Sequence, residues 1–399
     1  MPQTIALSDK QLSAIEKLNK FKVGALFMEP GTGKTLAAYE LIKSVQCISN
    51  IVWLTPFQTK ENLKKEIDKC GGFENLTIIG VETLSSSDAK YIELIAIINE
   101  NTFLIVDESL KIKNWTAKRT KRIIELGKRC QYKLILNGTP ATKTLLDLWA
   151  QMEFLSPNIL KMDLAEFENT FCEYVKITKS FGRQKKETKH IKEYHNIYYL
   201  WSLIGHYIYN CDLDLLVQKQ FNVINYSIDS EMLAEYNQLK SDYLSYEKLA
   251  WLNNNIFLEM SQKMQHTYCT TPDKFLKLDD IFKNHNQESV IVFCKYISSK
   301  IALEFRYPKA MILTYGKHSF GLNLQDKNVT VYFDKTFDYA QRIQSGYRTY
   351  RMGQNKNCIY YDLTGNVGLE SVIDKSINKK MSMSEYFKSK SINEIIKEL

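Results

Sequence analysis

The chain has 399 residues, enough to bury a large core and more than one domain usually holds, so two or three units are expected. With 44% hydrophobic and 25% charged residues, its composition is that of an ordinary soluble globular protein, and its formal net charge of +8 suits a polyanionic partner. Eight cysteines stand singly with no C-x-x-C pair, which speaks against a zinc site or a disulfide framework and suits a reducing compartment.

The opening MPQTIALSDK lacks a basic-then-apolar signal, and no apolar run approaches eighteen residues, so a cytoplasmic chain away from the membrane is expected. SDKQLSAIEKLNK (8–20) then places Leu12, Ile15 and Leu18 at helical spacing behind a Ser8 or Asp9 cap. Gln11 falls in the first turn of that helix. It is either a surface polar residue or a reader of an adenine edge, since its amide donates and accepts at once.

GALFMEPGTGKT (24–35) is the stretch around which the chain is arranged. Ala25 to Met28 reads as a buried strand, Gly31-Thr32-Gly33 as a tight turn, and the residues from Lys34 onward as a helix. Backbone N–H groups at such a turn and helix N-terminus face phosphates, and the helix dipole favours their charge. Lys34 then reaches the β/γ-phosphates of ATP, and the Thr35 hydroxyl ligates Mg²⁺.

IVWLTPF (51–57) reads as a second buried strand, followed by a helix that Gly71-Gly72 closes. TIIGVETL and the helical YIELIAIINE lead to NTFLIVDESLKIKN (101–114). Phe103 to Val106 there form a strand that delivers Asp107 and Glu108 at its carboxyl end, where open α/β sheets gather ligands. Asp107 is the candidate Mg²⁺ partner, and Glu108 the candidate base or orienter of the attacking water. KLILNGTP (133–140) is a further strand and turn, in a position suited to sensing phosphate state.

In this order the motifs resemble the Swi/Snf-type ATPases of helicase superfamily two. MEPGTGKT, LTPFQTKENLKKEI, VETL, DESLKIKN, NGTP and TLLDLWAQMEFLSP match the first lobe of that family. TYGKHSFGLNLQ (314–325) and QRIQSGYRTYRMGQ (341–354) resemble its second-lobe motifs. Leu110 replaces a usual histidine, Leu63 a tryptophan, and YIYNCDLD (207–214) an arginine-rich run, so contacts that couple ATP state to DNA differ here.

Between the lobes, residues 156 to about 270 carry few glycines and many aromatics. FENTFCEY and the stretch from Glu231 to Met264 read as amphipathic helices. VKITKSFGRQKKETKHIK (175–192) is a basic β-hairpin or a loose loop. Lys185, Lys186 and Lys189 in it are either a solvated charge run or contacts to a phosphate backbone. Tyr198, Tyr199 and Trp201 read as core sooner than as residues that stack on bases. SVIVFCKY (289–296) opens the second lobe, which looks trimmed between this strand and AMILTYG.

A helix is then expected from Tyr339 to about Met352, with Gln344, Arg348 and Arg351 on one face by their i, i+4, i+7 spacing. That face is too polar for core. It reads as an arginine-finger face closing on the γ-phosphate, with Gln344 beside the nucleotide.

The expected fold is α/β: two RecA-like P-loop lobes with parallel sheets, lobe one over 1–155, a helical insertion over 156–270, and lobe two over 271–399. The resemblance implies a DNA-dependent ATPase that uses ATP and Mg²⁺ to translocate on double-stranded DNA, forked or branched DNA included. A strand-separating helicase and an ATP-gated DNA clamp with little turnover are the alternatives. A compact motor of this kind suits a bacterial or phage-infected cell, and a monomer is the expectation.

Overall fold

The apolar runs between turn signals form strands, and most core strands are followed by a helix that returns the chain in parallel. The computed structural model describes residues 6–138, 145–181, 184–244, 254–315 and 324–379 together with Met383 and Glu398; of 176–181, 184–190, 244 and 254–257 it describes the backbone alone. The chain divides into two compact units, Met1–Asp214 and Leu215–Leu399.

The first unit contains β1 (Val23–Met28), β2 (Asn50–Thr55), β3 (Leu76–Gly80), β4 (Thr102–Asp107) and β5 (Tyr132–Asn137). An antiparallel hairpin of β6 (Cys172–Phe181) and β7 (Gln184–Tyr194) follows, and then β8 (Ile208–Cys211). The main sheet runs β3-β2-β4-β5-β1-β8, with every neighbouring pair parallel. Its strands are apolar on both faces, as a sheet covered by helices on both sides requires.

Alternation sorts those side chains. Ala25, Phe27, Val52, Leu54, Leu104, Val106 and Ile135 share one cluster with Ile123 and Leu148. Leu26, Met28, Ile51, Trp53, Phe103, Ile105, Leu134 and Leu136 face the other way, toward Ala14, Leu41 and Ile67. The Asp9–Leu18 helix begins at Ser8 with a complete capping box closed by Gln11.

The second unit contains β9 (Lys219–Tyr226), β10 (Val290–Cys294), β11 (Met311–Thr314), β12 (Val329–Tyr332) and β13 (Cys358–Gly365). They form a parallel sheet ordered β11-β10-β12-β13-β9, with its own core around Val292, Val331, Leu363, Leu278 and Val372. Both units are thus α/β with parallel sheets.

Residues 156–270, expected as a helical insertion, hold helices and also four strands. β8 completes the first sheet and β9 completes the second. The basic segment, open between hairpin and loop in the sequence, is a hairpin, with Lys185, Lys186 and Lys189 on the backbone of β7.

Tyr198, Tyr199 and Trp201 are not core. They are 95%, 49% and 37% exposed, because the short Ile197–Ile204 helix turns only Leu200 and Ile204 inward. Among the described residues, no helix is long and apolar enough to cross a membrane.

Candidate functional site

The carboxyl ends of β1, β5 and β4 lie side by side and deliver the first unit's candidate residues. β1 runs into the loop Glu29–Gly33, and Lys34 and Thr35 open the Lys34–Ser44 helix. Gly31 and Gly33 take φ of 88° and 78°, the left-handed region where a side chain would be strained. Their conformation wraps the backbone around the helix N-terminus, whose first N–H groups have no acceptor within the helix. Lys34 Nζ folds back over the loop and donates to the Met28 carbonyl at 2.8 Å.

Side-chain hydrogen bonds fix the loop's shape. Thr32 Oγ1 donates to the Glu29 carbonyl at 2.7 Å, and the Leu213 N–H donates to Glu29 Oε2 at 2.8 Å. Gln11 is 2% exposed; its Nε2 donates to the carbonyls of Thr32 at 3.1 Å and Gly33 at 3.3 Å, while its Oε1 accepts the Ser8 N–H at 2.9 Å. Both ends of the amide that could read an adenine edge are therefore engaged within the chain.

Asp107 ends β4, with β5 between it and β1. Its Oδ1 accepts the Glu108 N–H at 2.9 Å and its Oδ2 accepts the Thr55 hydroxyl at 3.2 Å. Burial pushes the carboxyl up to about 7 and the Glu108 charge adds to this, while the Lys34 ammonium works in the opposite direction. A carboxylate so crowded is more favourably ionised beside a cation, which fits it, with the Thr35 hydroxyl, to Mg²⁺.

Glu108 itself sits at φ 51°, ψ 54°, a left-handed conformation rare for a residue with a side chain and typical of strained functional sites. The residue after it supplies the restraint. Ser109 is fully buried, and its hydroxyl donates to Gln151 Oε1 at 2.5 Å, while Gln151 Nε2 donates to the Asp147 carbonyl at 2.6 Å.

Sequence reasoning missed Thr55, Ser109 and Gln151. Thr55 carried the faint signal of a polar residue closing an apolar strand, and Ser109–Gln151 carried none. At the end of β5, Asn137 Nδ2 is buried without a hydrogen-bond partner among the described residues. Thr139 and Pro140 of the same motif lie outside the described residues.

YIYNCDLD becomes β8 and the turn after it. With Lys10 it lines an open cavity of about 540 Å³ formed by Lys10 and residues 209–214, adjoining the loop through the Glu29 N–H bond to Cys211. Leu110 lies in the short Ser109–Ile112 turn of helix.

In the second unit the helix carrying Gln344 covers only Tyr339–Gly346. The single face expected for Gln344, Arg348 and Arg351 is therefore not formed. The Gly346 carbonyl accepts the Tyr360 hydroxyl at 3.0 Å, and the chain leaves helical geometry at Tyr347. Arg348 and Arg351, both half-buried, follow in a run of turns.

Gln354 anchors those turns. Its Nε2 donates to the Lys327 and Thr349 carbonyls at 2.9 and 3.1 Å, and its Oε1 accepts the Lys356 N–H at 2.9 Å. Arg342 is held by Asp362 at 2.5 Å and lies 3.1 Å over the Tyr332 ring, a structural role. Gly316 to Asn323, most of the preceding motif, lie outside the described residues, as do the side chains of Lys185, Lys186 and Lys189.

A family model described as the SNF2-related domain matches residues 54–297, more than half of the chain. An uncharacterized ATP-dependent helicase, MG018, of Mycoplasma genitalium is 23% identical over 97% of this chain and 43% of its own length. Human DNA repair and recombination protein RAD54B is 30% identical over 33% of this chain and 17% of its own. The chain thus spans less than half the length of these curated relatives. A solved structure titled as the Sulfolobus solfataricus SWI2/SNF2 ATPase core in complex with dsDNA aligns with a TM-score of 0.45 at 17% identity, covering 94% of this chain and 91% of that one.

Proposed function

The chain belongs to the SNF2-related family, and from that premise we propose that it is a DNA-dependent ATPase that translocates on double-stranded DNA. The observation that carries this reading is the phosphate loop at the end of β1, with Lys34 and Thr35 leading its helix and Asp107-Glu108 two strands away.

Lys34 would hold the β- and γ-phosphates, and Thr35 and Asp107 would hold Mg²⁺, whose charge would draw electron density from the transferring phosphoryl group. Glu108 would orient the water, its left-handed backbone presetting the carboxylate. Gln11 would act on the nucleotide through the loop it braces. Arg348 and Arg351 would meet the charge that develops on the γ-phosphate, with Gln344 beside the nucleotide. Lys185, Lys186 and Lys189 would contact the DNA backbone, which fixes position without reading sequence. The setting is the cytoplasm of a bacterial or phage-infected cell.

Steady-state ATP hydrolysis measured with duplex, single-stranded and forked DNA and with RNA tests the reading. Duplex should raise turnover by an order of magnitude or more while strands of a fork stay paired. Turnover indifferent to DNA would make the protein an ATP-gated clamp, and fork separation would make it a helicase.

A further inference from the structure

The Ile297–Arg306 helix of the second unit is apolar on two opposite sides. Ser299 and Leu303 are fully buried against the sheet. At the far side Ile297, Ile301 and Phe305 are 74%, 63% and 91% exposed. Their spacing of i, i+4, i+8 makes one continuous stripe, where a surface helix ordinarily turns charged residues to water. Both ends of the helix are held: Arg306 pairs with Asp279, which also accepts the Tyr307 hydroxyl at 2.7 Å, and the Lys300 N–H bonds the Tyr296 carbonyl at 3.0 Å. The stripe is thus a rigid feature of the surface.

The charges beside it identify what covers it. Lys300 and Glu304 lie along one flank of the stripe, 3.5 Å apart and 28% and 52% exposed. When two copies of this helix pack antiparallel, Ile301 meets Ile301, each Ile297 meets a Phe305, and each Lys300 comes beside the Glu304 of the other copy. The stripe and its flank are self-complementary under a two-fold axis, as an isologous contact demands.

We propose that this helix is a homodimerisation surface, pairing antiparallel with its counterpart in a second copy of the chain through Ile297, Ile301 and Phe305. The proposal replaces the expectation of a monomer. One ten-residue helix per partner lies at the small end of specific interfaces, so the dimer should dissociate in the micromolar range.

Sedimentation velocity of the full chain across that range is the test. Wild type should shift from monomer to dimer with concentration. Ile301→Glu and Phe305→Glu should each weaken association by about tenfold or more, as loss of a central anchor does, with unchanged circular dichroism.

Charge variants separate this geometry from mere stickiness. Lys300→Glu sets two glutamates against each other at both ends of the axis and should weaken the dimer. The swap Lys300→Glu with Glu304→Lys restores opposite charges and should recover it. A chain monomeric throughout, a dimer untouched by Phe305→Glu, or a swap that fails to recover what Lys300→Glu lost would each overturn the proposal, as would capture of a lipid surface by the monomer.

Discussion

Gln11 Nε2 donates to the Thr32 carbonyl at 3.1 Å, tying the first helix to the Glu29–Gly33 loop across 21 positions of sequence. The contact is buried, and without it the Thr32 carbonyl would lose this hydrogen bond, while the Gly33 carbonyl would keep those from the Leu36 and Ala37 N–H groups. Gln11→Ala should therefore cost about 1–3 kcal/mol of loop order, seen as roughly 5- to 150-fold weaker nucleotide binding by fluorescence titration. Because the amide is spent on the backbone, ATP, GTP and inorganic triphosphate should lose affinity alike. A loss confined to ATP would return Gln11 to reading the base.

Glu108→Gln should leave ATP binding within a few-fold of wild type and lower kcat by at least about a hundredfold, the usual scale for a general base or water-orienting group. The backbone there is preset by β4 and by Ser109, so the variant should keep its melting temperature. Turnover within twofold of wild type would remove Glu108 from the chemistry.

The Ser109–Gln151 hydrogen bond predicts a coupled pair. Gln151→Leu leaves the fully buried Ser109 hydroxyl without its acceptor and should destabilise the chain by about 1–3 kcal/mol in urea unfolding. Adding Ser109→Ala should recover part of that loss. Strict additivity of the two substitutions would show that the bond does not couple them.

Lys295 in the second unit gives a pH signature. Its Nζ donates to Gln265 Oε1 at 2.9 Å and lies 3.0 Å from the Phe337 ring centre. Burial drives the ammonium down to about 7, against the pull of Asp334 and Glu370; Lys274, ion-paired to Asp334 at 2.6 Å, stands beside them. Above pH 7 the folded chain releases a proton that the unfolded chain keeps until about 10.5. Raising pH through this window therefore favours the fold, by at most about 1.4 kcal/mol per pH unit, and the gain is lost as pH falls from 10.5 back to about 7, below which both states hold the proton. Lys295→Met should be more stable than wild type at pH 7, with the difference shrinking toward pH 9. A difference constant with pH would sink this account.

Charge reversal at Lys185 and Lys186 should weaken binding to duplex DNA and flatten its salt dependence, because fewer counterions are released. An unchanged slope of log Kd against log salt returns the β7 lysines to a solvated role.

The motifs on strand ends were readable because local physics sets them. Glycine is needed where φ is positive, as at Gly31 and Gly33, and a lysine and threonine after such a turn begin a helix. A run such as Phe103 to Val106, apolar on both faces, has nowhere to go but a covered parallel sheet. The reading failed where one local period was extended too far. The helix expected to Met352 stops at Gly346, whose carbonyl is taken by the Tyr360 hydroxyl 14 positions on, and no spacing rule registers that contact. Tyr198 and Trp201 went astray for the converse reason: aromatic content suggests burial, but the direction a short helix faces is set by its neighbours.

Sequence by itself determined the α/β class, the apolar strands that carry the motifs, and the Gly31–Thr35 turn and Asp107-Glu108 at strand ends, since each follows from backbone preference and polarity within a few positions. Tertiary structure alone decided that β8 and β9 close the two sheets, that Gln11 braces the loop with both ends of its amide, and that Gln151 holds Ser109. It alone left Ile297, Ile301 and Phe305 in water. These depend on which groups meet across tens or hundreds of residues, and a hydrogen bond or a buried face between distant segments has no local pattern to announce it.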